Sequence, residues 1–90
     1  MIPFNTVNGR HRKTLEAIFN EPVRAGINWI DVESMLVSLG ATVRERAGSR
    51  ICVMLGNESA VFHRPHPRKE TDKGVVKSVR RFLENGGIKP

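Results

Sequence analysis

Two of the three histidines, His63 and His66, lie three residues apart in a stretch that also holds Pro65 and Pro67. Imidazole suits general acid–base chemistry because its ordinary pKa, about 6.5, allows it to accept or donate a proton near neutral pH. The prolines restrict the backbone and would hold both rings in a stiff loop. The pattern predicts that His66 is a catalytic residue with His63 as its partner. The alternative is a pair of polar loop residues beside basic neighbours.

Arg50 is a third candidate, because it opens one predicted strand and so lies near the end of the next. A guanidinium stays protonated at neutral pH and cannot act as a base, but it can hold a phosphate through two parallel hydrogen bonds. In an antiparallel meander the start of strand 50–55 lies beside the end of strand 59–63. We therefore expect Arg50 to clamp a phosphate where the histidines lie.

The charge of the chain is basic and unevenly distributed. The sequence holds 15 Lys and Arg against 9 Asp and Glu, a formal net charge of +6, and residues 61–90 alone hold eight basic and three acidic residues. Basic residues concentrated in one segment predict a polyanionic partner, because each neutralised phosphate releases bound counterions. A merely solubilising surface is the alternative. The predicted nucleic-acid contacts are Ser49, Arg64, Arg68 and Lys69 and, on a solvent-facing ridge of the last helix, Lys73, Lys77, Arg80 and Arg81.

The residue types disfavour several other classes of site. The single cysteine, Cys52, cannot form an internal disulfide, and with His63 and His66 it would make only a weak candidate metal site. The Gly48-Ser49 pair is too short for a phosphate-binding P-loop, so no metal or small-molecule cofactor is predicted. Because the chain has no Tyr, one Trp and four Phe, a single-strand reader that stacks bases on aromatic rings is disfavoured.

Three helices and three strands must position these residues. Apolar residues at helical spacing predict a short helix before Pro22, a helix over 28–39 capped by Asn28, and a last helix capped by Thr71 or Asp72. Segments 41–46, 50–55 and 59–63 alternate with period two and are separated by small-residue turns, which predicts an antiparallel meander. The apolar helix positions are Leu15, Ile18, Phe19; Val32, Met35, Leu36, Leu39; and Val75, Val76, Val79, Phe82, Leu83.

This order of elements predicts an α+β, two-layer domain like a double-stranded-RNA-binding domain, α-β-β-β-α with a three-stranded antiparallel sheet and an extra N-terminal helix. Ninety residues suffice for one such domain. No apolar run approaches the ~20 residues of a membrane-spanning helix, and the N-terminus does not have the pattern of a signal peptide. We expect a cytoplasmic protein that has no membrane partner.

A series of short marks occurs in order between residues 28 and 88. They are Leu39-Gly40-Ala41 after a helix, the turn Gly48-Ser49, His66, Lys69-Glu70, Lys73-Gly74, Lys77-Ser78-Val79 and the closing Gly87-Ile88. With these marks in this order, residues 28–88 resemble the HicA family, the small toxins of bacterial toxin–antitoxin pairs. The resemblance divides the chain into an N-terminal extension, 1–27, with a short helix, and a HicA-like domain, 28–90.

The resemblance implies a toxin that cleaves messenger RNA without a metal and is silenced by a HicB-like antitoxin covering its active face. In that reaction His66 would transfer protons, with His63 as its partner and Arg50 as the phosphate clamp. The family has a histidine directly after Gly-Ser, where this sequence has Arg50. This departure favours the alternative, a catalytically inactive domain of the same fold that binds RNA or only a protein partner.

Overall fold

The computed structural model describes residues 2–3 and 7–89, which form three helices and seven short strands. Residues 1, 4–6 and 90, at the start of the predicted extension and the end of the predicted domain, lie outside the described residues. The helices are α1 (Gly9–Ile18), α2 (Trp29–Ser38) and α3 (Lys73–Asn85). The strands are β1 (Ile2–Pro3), β2 (Ile27–Asn28), β3 (Thr42–Glu45), β4 (Arg50–Leu55), β5 (Glu58–His63), β6 (Glu70–Thr71) and β7 (Ile88–Lys89).

Each helix begins after a residue whose side chain caps its first turn. The caps predicted at Asn28 and Asp72 are confirmed, since each side-chain oxygen accepts a hydrogen bond from a backbone N–H of the first turn. Asn8 caps α1 in the same way. These bonds satisfy donors that have no partner within the helix. After α2, Gly40 has a φ of +97°, a left-handed conformation that suits glycine and ends the helix.

The predicted meander is confirmed, because β3, β4 and β5 form an antiparallel sheet in the order β3-β4-β5. In β4, Ile51, Val53 and Leu55 are buried, whereas Cys52 and Met54 between them are half-buried and Arg50 is exposed. Alternate residues of a strand point to opposite faces, so one face of the sheet packs on the helices and the other is open to solvent. The open face begins at Arg50.

Buried apolar side chains from all three helices and from β4 and β5 form one core. The arrangement is a two-layer α+β fold in which α1 precedes the α-β-β-β-α order, and the predicted fold class is confirmed. Burial of apolar side chains is the main favourable contribution to the stability of such a small domain. Within the described residues, no helix has the length and apolarity that crossing a membrane requires.

Two strand pairs are absent from the sequence prediction, because strands of two residues are too short to show an alternating pattern. β2 pairs antiparallel with β6, so that Ile27 lies opposite Thr71, and β1 pairs in parallel with β7. The segment between the first two predicted helices, residues 22–27, therefore ends in a strand. The β2–β6 pair joins the start of α2 to the start of α3, and it fixes the far end of the segment that carries His66.

Candidate functional site

Arg50 and His63 lie directly opposite each other where β4 begins and β5 ends. The next pair along, Ile51 and Phe62, is buried in the core. Because successive strand residues face opposite ways, Arg50 and His63 share the open face, where directly opposed Cβ atoms are about 4.5–5.5 Å apart. Both residues are exposed. The adjacency predicted for these two positions is confirmed.

The Arg50 side chain is oriented by the turn that joins β3 to β4. Its Nε donates a hydrogen bond to the carbonyl oxygen of Ala47 at 3.1 Å. Gly48 has a φ of +70°, which allows the chain to reverse tightly at this point. The two Nη groups of Arg50 have no hydrogen-bond partner among the described residues. These two groups therefore keep their four N–H donors available.

The segment between β5 and β6, residues 64–69, is here called the histidine loop because it carries His66. Its first residue, Arg64, donates its backbone N–H to the carbonyl oxygen of Ser49 at 2.8 Å. The carbonyl oxygen of its last residue accepts the backbone N–H of Trp29 at 2.9 Å. His66 itself is exposed. Backbone hydrogen bonds therefore hold both ends of the histidine loop. The first of them joins the loop to the turn that precedes Arg50.

The Arg64 side chain lies between two carboxylates, an arrangement here called the Arg64 bridge. Nε and Nη2 donate to Glu33 at 2.6 and 3.1 Å, and Nη1 and Nη2 donate to Glu45 at 2.6 and 2.7 Å. Glu33 also accepts a hydrogen bond from the indole of Trp29. Four of the five guanidinium N–H groups are thus engaged. The structure places Arg64, a predicted nucleic-acid contact, inside a bridge between α2, β3 and the histidine loop.

The bridge shifts the pKa values of Arg64 and Glu45. Hydrogen bonds to Glu33 and Glu45 raise the pKa of Arg64 above its already high ordinary value. The hydrogen bond from Arg64 holds the pKa of Glu45 below its ordinary value. A depressed carboxyl pKa means that the contact stabilises the folded chain above the ordinary glutamate pKa. That contribution is lost as the pH falls through the folded-state value.

The remaining predicted nucleic-acid contacts divide into exposed residues and one anchored residue. Along α3, Lys73, Lys77 and Arg81 are spaced four residues apart and so lie on one side of the helix. Arg68 and Lys69 precede them in the histidine loop. Together these five exposed residues are here called the basic strip. Ser49 is also exposed, in the turn beside Arg50.

Arg80 is the anchored residue, and its predicted place on a solvent-facing ridge is wrong. Its Nε, Nη1 and Nη2 donate to the carbonyl oxygen of Ile18, the carboxylate of Glu21 and the carbonyl oxygen of Asn20 at 3.0, 2.6 and 2.8 Å. Its guanidinium also lies 5.9 Å from the centre of the Phe19 ring. Only 18% of the side chain is exposed. The periodicity of α3 alone could not show that the end of α1 covers this position.

The comparison with protein-family models decides the family. The model described as HicA toxin of bacterial toxin-antitoxin matches residues 29–88. The chain belongs to the HicA toxin family. Its predicted resemblance over 28–88 is confirmed, and membership makes it a toxin of a toxin–antitoxin system. Searches of curated proteins and of solved structures found no significant match.

The HicA match covers α2, the meander and α3, and hence every predicted site residue. The helix α1 lies outside it and packs on α2 and α3. Among the described residues, no group of three His, Cys, Asp or Glu side chains is close enough together to hold a metal ion. Cys52, considered with the histidines as a weak metal site, is a half-buried residue of β4.

The carboxylates of the Arg64 bridge are the site residues that sequence reasoning missed in this HicA protein. Glu33 is 31 positions from Arg64, and Glu45 is 19 positions from it. No helical or strand spacing rule connects residues so far apart. The only local signal is that Trp29 and Glu33 are four residues apart, which places them on one side of a helix.

Proposed function

We propose that this HicA protein binds messenger RNA and cleaves it by metal-independent histidine acid–base chemistry. The observation that carries the proposal is the direct pairing of Arg50 with His63 on the open face of the sheet. This pair lies at the start of the histidine loop, which carries His66. One cation and two imidazoles are the groups that such a reaction requires.

The reaction forms one bond and breaks another at a single phosphorus atom. One imidazole removes the proton of a 2′-hydroxyl, and the 2′-oxygen attacks the adjacent phosphorus. The bond from phosphorus to the 5′-oxygen breaks, and the protonated second imidazole gives its proton to that leaving oxygen. The products are a 2′,3′-cyclic phosphate and a free 5′-hydroxyl. Arg50 would neutralise the charge that accumulates on the non-bridging oxygens, which is where a fixed donor contributes most.

We further propose that the basic strip holds the RNA backbone. The strip leaves the histidine loop at Arg68 and Lys69 and continues along α3. Exposed Lys and Arg contact phosphates without reading base sequence, so these residues would supply affinity rather than specificity. Arg64 and Arg80 are less suited to this role because their guanidinium groups are already bound within the fold.

We propose a HicB-like antitoxin as the protein partner and the cytoplasm as the location, because messenger RNA is the proposed substrate. The division into an extension, 1–27, and a HicA-like domain, 28–90, also stays a proposal. A second candidate function is RNA or antitoxin binding without cleavage. It is favoured by Arg50, which occupies the place of the family's histidine and cannot act as a base.

The proposal is tested by incubating the purified chain with messenger RNA in the presence of EDTA. We expect cleavage to continue, and the new ends to be 2′,3′-cyclic phosphate and 5′-hydroxyl. Both ends are read by end-specific labelling. RNA that stays intact although it binds would favour the non-cleaving candidate, and cleavage that EDTA stops would contradict metal independence.

If the basic strip contacts phosphates, the RNA affinity of the protein should depend on salt concentration through these residues. Replacing Lys77 and Arg81 by Gln should lower the slope of log affinity against log salt by roughly one to two units, because about 0.7–0.9 units are lost per phosphate contact. Both residues are exposed, so stability should change by less than ~0.5 kcal/mol per site. The slope is measured by RNA titration at several salt concentrations.

Arg80→Gln is the control for this experiment, because it removes one positive charge from the same helix at a position bound within the fold. It should leave the salt slope unchanged. Loss of its hydrogen bonds to the end of α1 should instead lower the free energy of unfolding by about 1–3 kcal/mol. An unchanged slope in the Lys77 and Arg81 variant, with binding intact, would show that the RNA lies elsewhere and that the strip is a solvated surface.

A further inference from the structure

Arg64 is the residue through which the histidine loop is joined to the rest of the site. Its backbone N–H donates a hydrogen bond to Ser49 in the turn before β4. Its side chain donates hydrogen bonds to Glu33 of α2 and Glu45 of β3. We propose that Arg64 is the positioning residue of the site, which keeps the histidine loop fixed relative to Arg50. This inference rests on the proposed function, since positioning affects catalysis only if the histidines act on RNA.

The geometry of the bridge favours positioning over phosphate binding. Four of the five N–H donors of Arg64 already bind carboxylate oxygens, so a phosphate would have to displace Glu33 or Glu45. One guanidinium facing two carboxylates also leaves the cluster with a net negative charge, which repels an RNA backbone. The bridge therefore has the wrong charge for attracting RNA and a suitable shape for fixing the loop.

Two features make the bridge stiff enough for this role. The guanidinium is planar and uses both of its edges, so each carboxylate restricts its orientation as well as its position. Glu33 is itself restrained, because it accepts a hydrogen bond from the Trp29 indole, whose ring is buried against Phe62. These contacts thus restrain Arg64, the residue that follows His63, relative to the core. Misplacing a catalytic group by about 1 Å can lower a rate a hundredfold.

The test compares Glu45→Gln, Arg64→Lys and Arg64→Gln with the wild type in RNA cleavage. Because the Glu45 side chain is 71% exposed, its replacement should not disturb the fold. We expect kcat to fall about tenfold in Glu45→Gln and up to about a hundredfold in Arg64→Gln, with KM unchanged. Arg64→Lys should recover part of the rate, because an ammonium can keep one of the two carboxylate contacts. Glu16→Gln, an exposed change of the same charge on α1, is the control.

The opposite result identifies a phosphate contact. If Arg64 normally binds RNA, then Glu45→Gln frees part of its guanidinium, and KM should fall while kcat is kept. That outcome overturns the inference. Equal kcat in the wild type and all three variants also overturns it, because kcat must fall when the bridge is lost if the bridge positions the histidine loop.

A second measurement decides the inference separately from the proposed function. Hydrogen exchange at the Arg64 backbone N–H reports whether the loop stays bound to Ser49, and it should be faster in Glu45→Gln and faster still in Arg64→Gln. In Arg64→Gln the Glu45 carboxyl should also titrate at a higher pH than in the wild type, since Arg64 lowers its pKa. If the wild type does not cleave RNA, the proposed function fails. Unchanged exchange in that case overturns the bridge as a positioning device, and faster exchange supports it.

Discussion

Expression of this toxin without its antitoxin should arrest growth, and replacing His66 by Ala should abolish that arrest. Removing a general acid or base typically lowers a rate by 10²–10⁴-fold, so the proposed cleavage of messenger RNA should slow by about that factor. His66 is exposed, so the change should alter the free energy of unfolding by less than ~0.5 kcal/mol. Growth curves, RNA cleavage rates and circular dichroism of the two proteins measure these effects.

His11→Ala is the matched control, because it makes the same change in α1, outside the histidine loop. It should remain fully toxic. His63→Ala should lower the cleavage rate as well, since its imidazole is the proposed proton-transfer partner. A His66→Ala protein that still arrests growth and cleaves RNA would remove His66 from the reaction. A wild-type protein that is harmless at high expression would contradict the cleavage proposal itself.

The parts of the fold that the sequence predicts are those that local periodicity determines. The stripe of Val32, Met35 and Leu36 predicts α2 and its buried face, and the alternation in 50–55 predicts which side of β4 meets the core. Each pattern repeats within a few residues, so a short stretch of sequence is enough to identify the element and its buried face. The adjacency of Arg50 and His63 follows in the same way, because short turns leave an antiparallel meander little choice of register.

The parts that the sequence could not predict depend on contacts between distant segments. Arg80 has the helical position of an exposed residue, and only the packing of α1 against α3 turns it into a hydrogen-bond donor for Ile18 and Asn20. Arg64 is one of several basic residues in its segment, and nothing nearby marks it as the partner of Glu33. Charged side chains are flexible enough to pair with any suitable neighbour, so their partners are settled by tertiary structure.

Arg50 should prove to be the second residue on which cleavage depends strongly. In Arg50→Ala we expect the cleavage rate to fall by roughly a hundredfold or more, the usual effect of removing one donor that stabilises transition-state charge. RNA affinity should fall as well, because the bidentate phosphate contact is lost. Arg50→Lys should recover only part of both, since an ammonium carries the charge but not the planar pair of donors.

The matched control for Arg50→Ala is Arg46→Ala, which removes an exposed positive charge from the segment that joins β3 to β4. The backbone N–H of Arg46 donates a hydrogen bond to the carbonyl oxygen of Arg50, so the two residues are close together. A general loss of positive charge would affect both variants alike, whereas a phosphate clamp requires the Arg50 variant alone to lose cleavage. The pairing of Arg50 with His63 explains this expected difference, because only Arg50 lies opposite an imidazole on the open face. Equal affinity and equal rate in wild type, Arg50→Ala and Arg50→Lys would exclude Arg50 from the site.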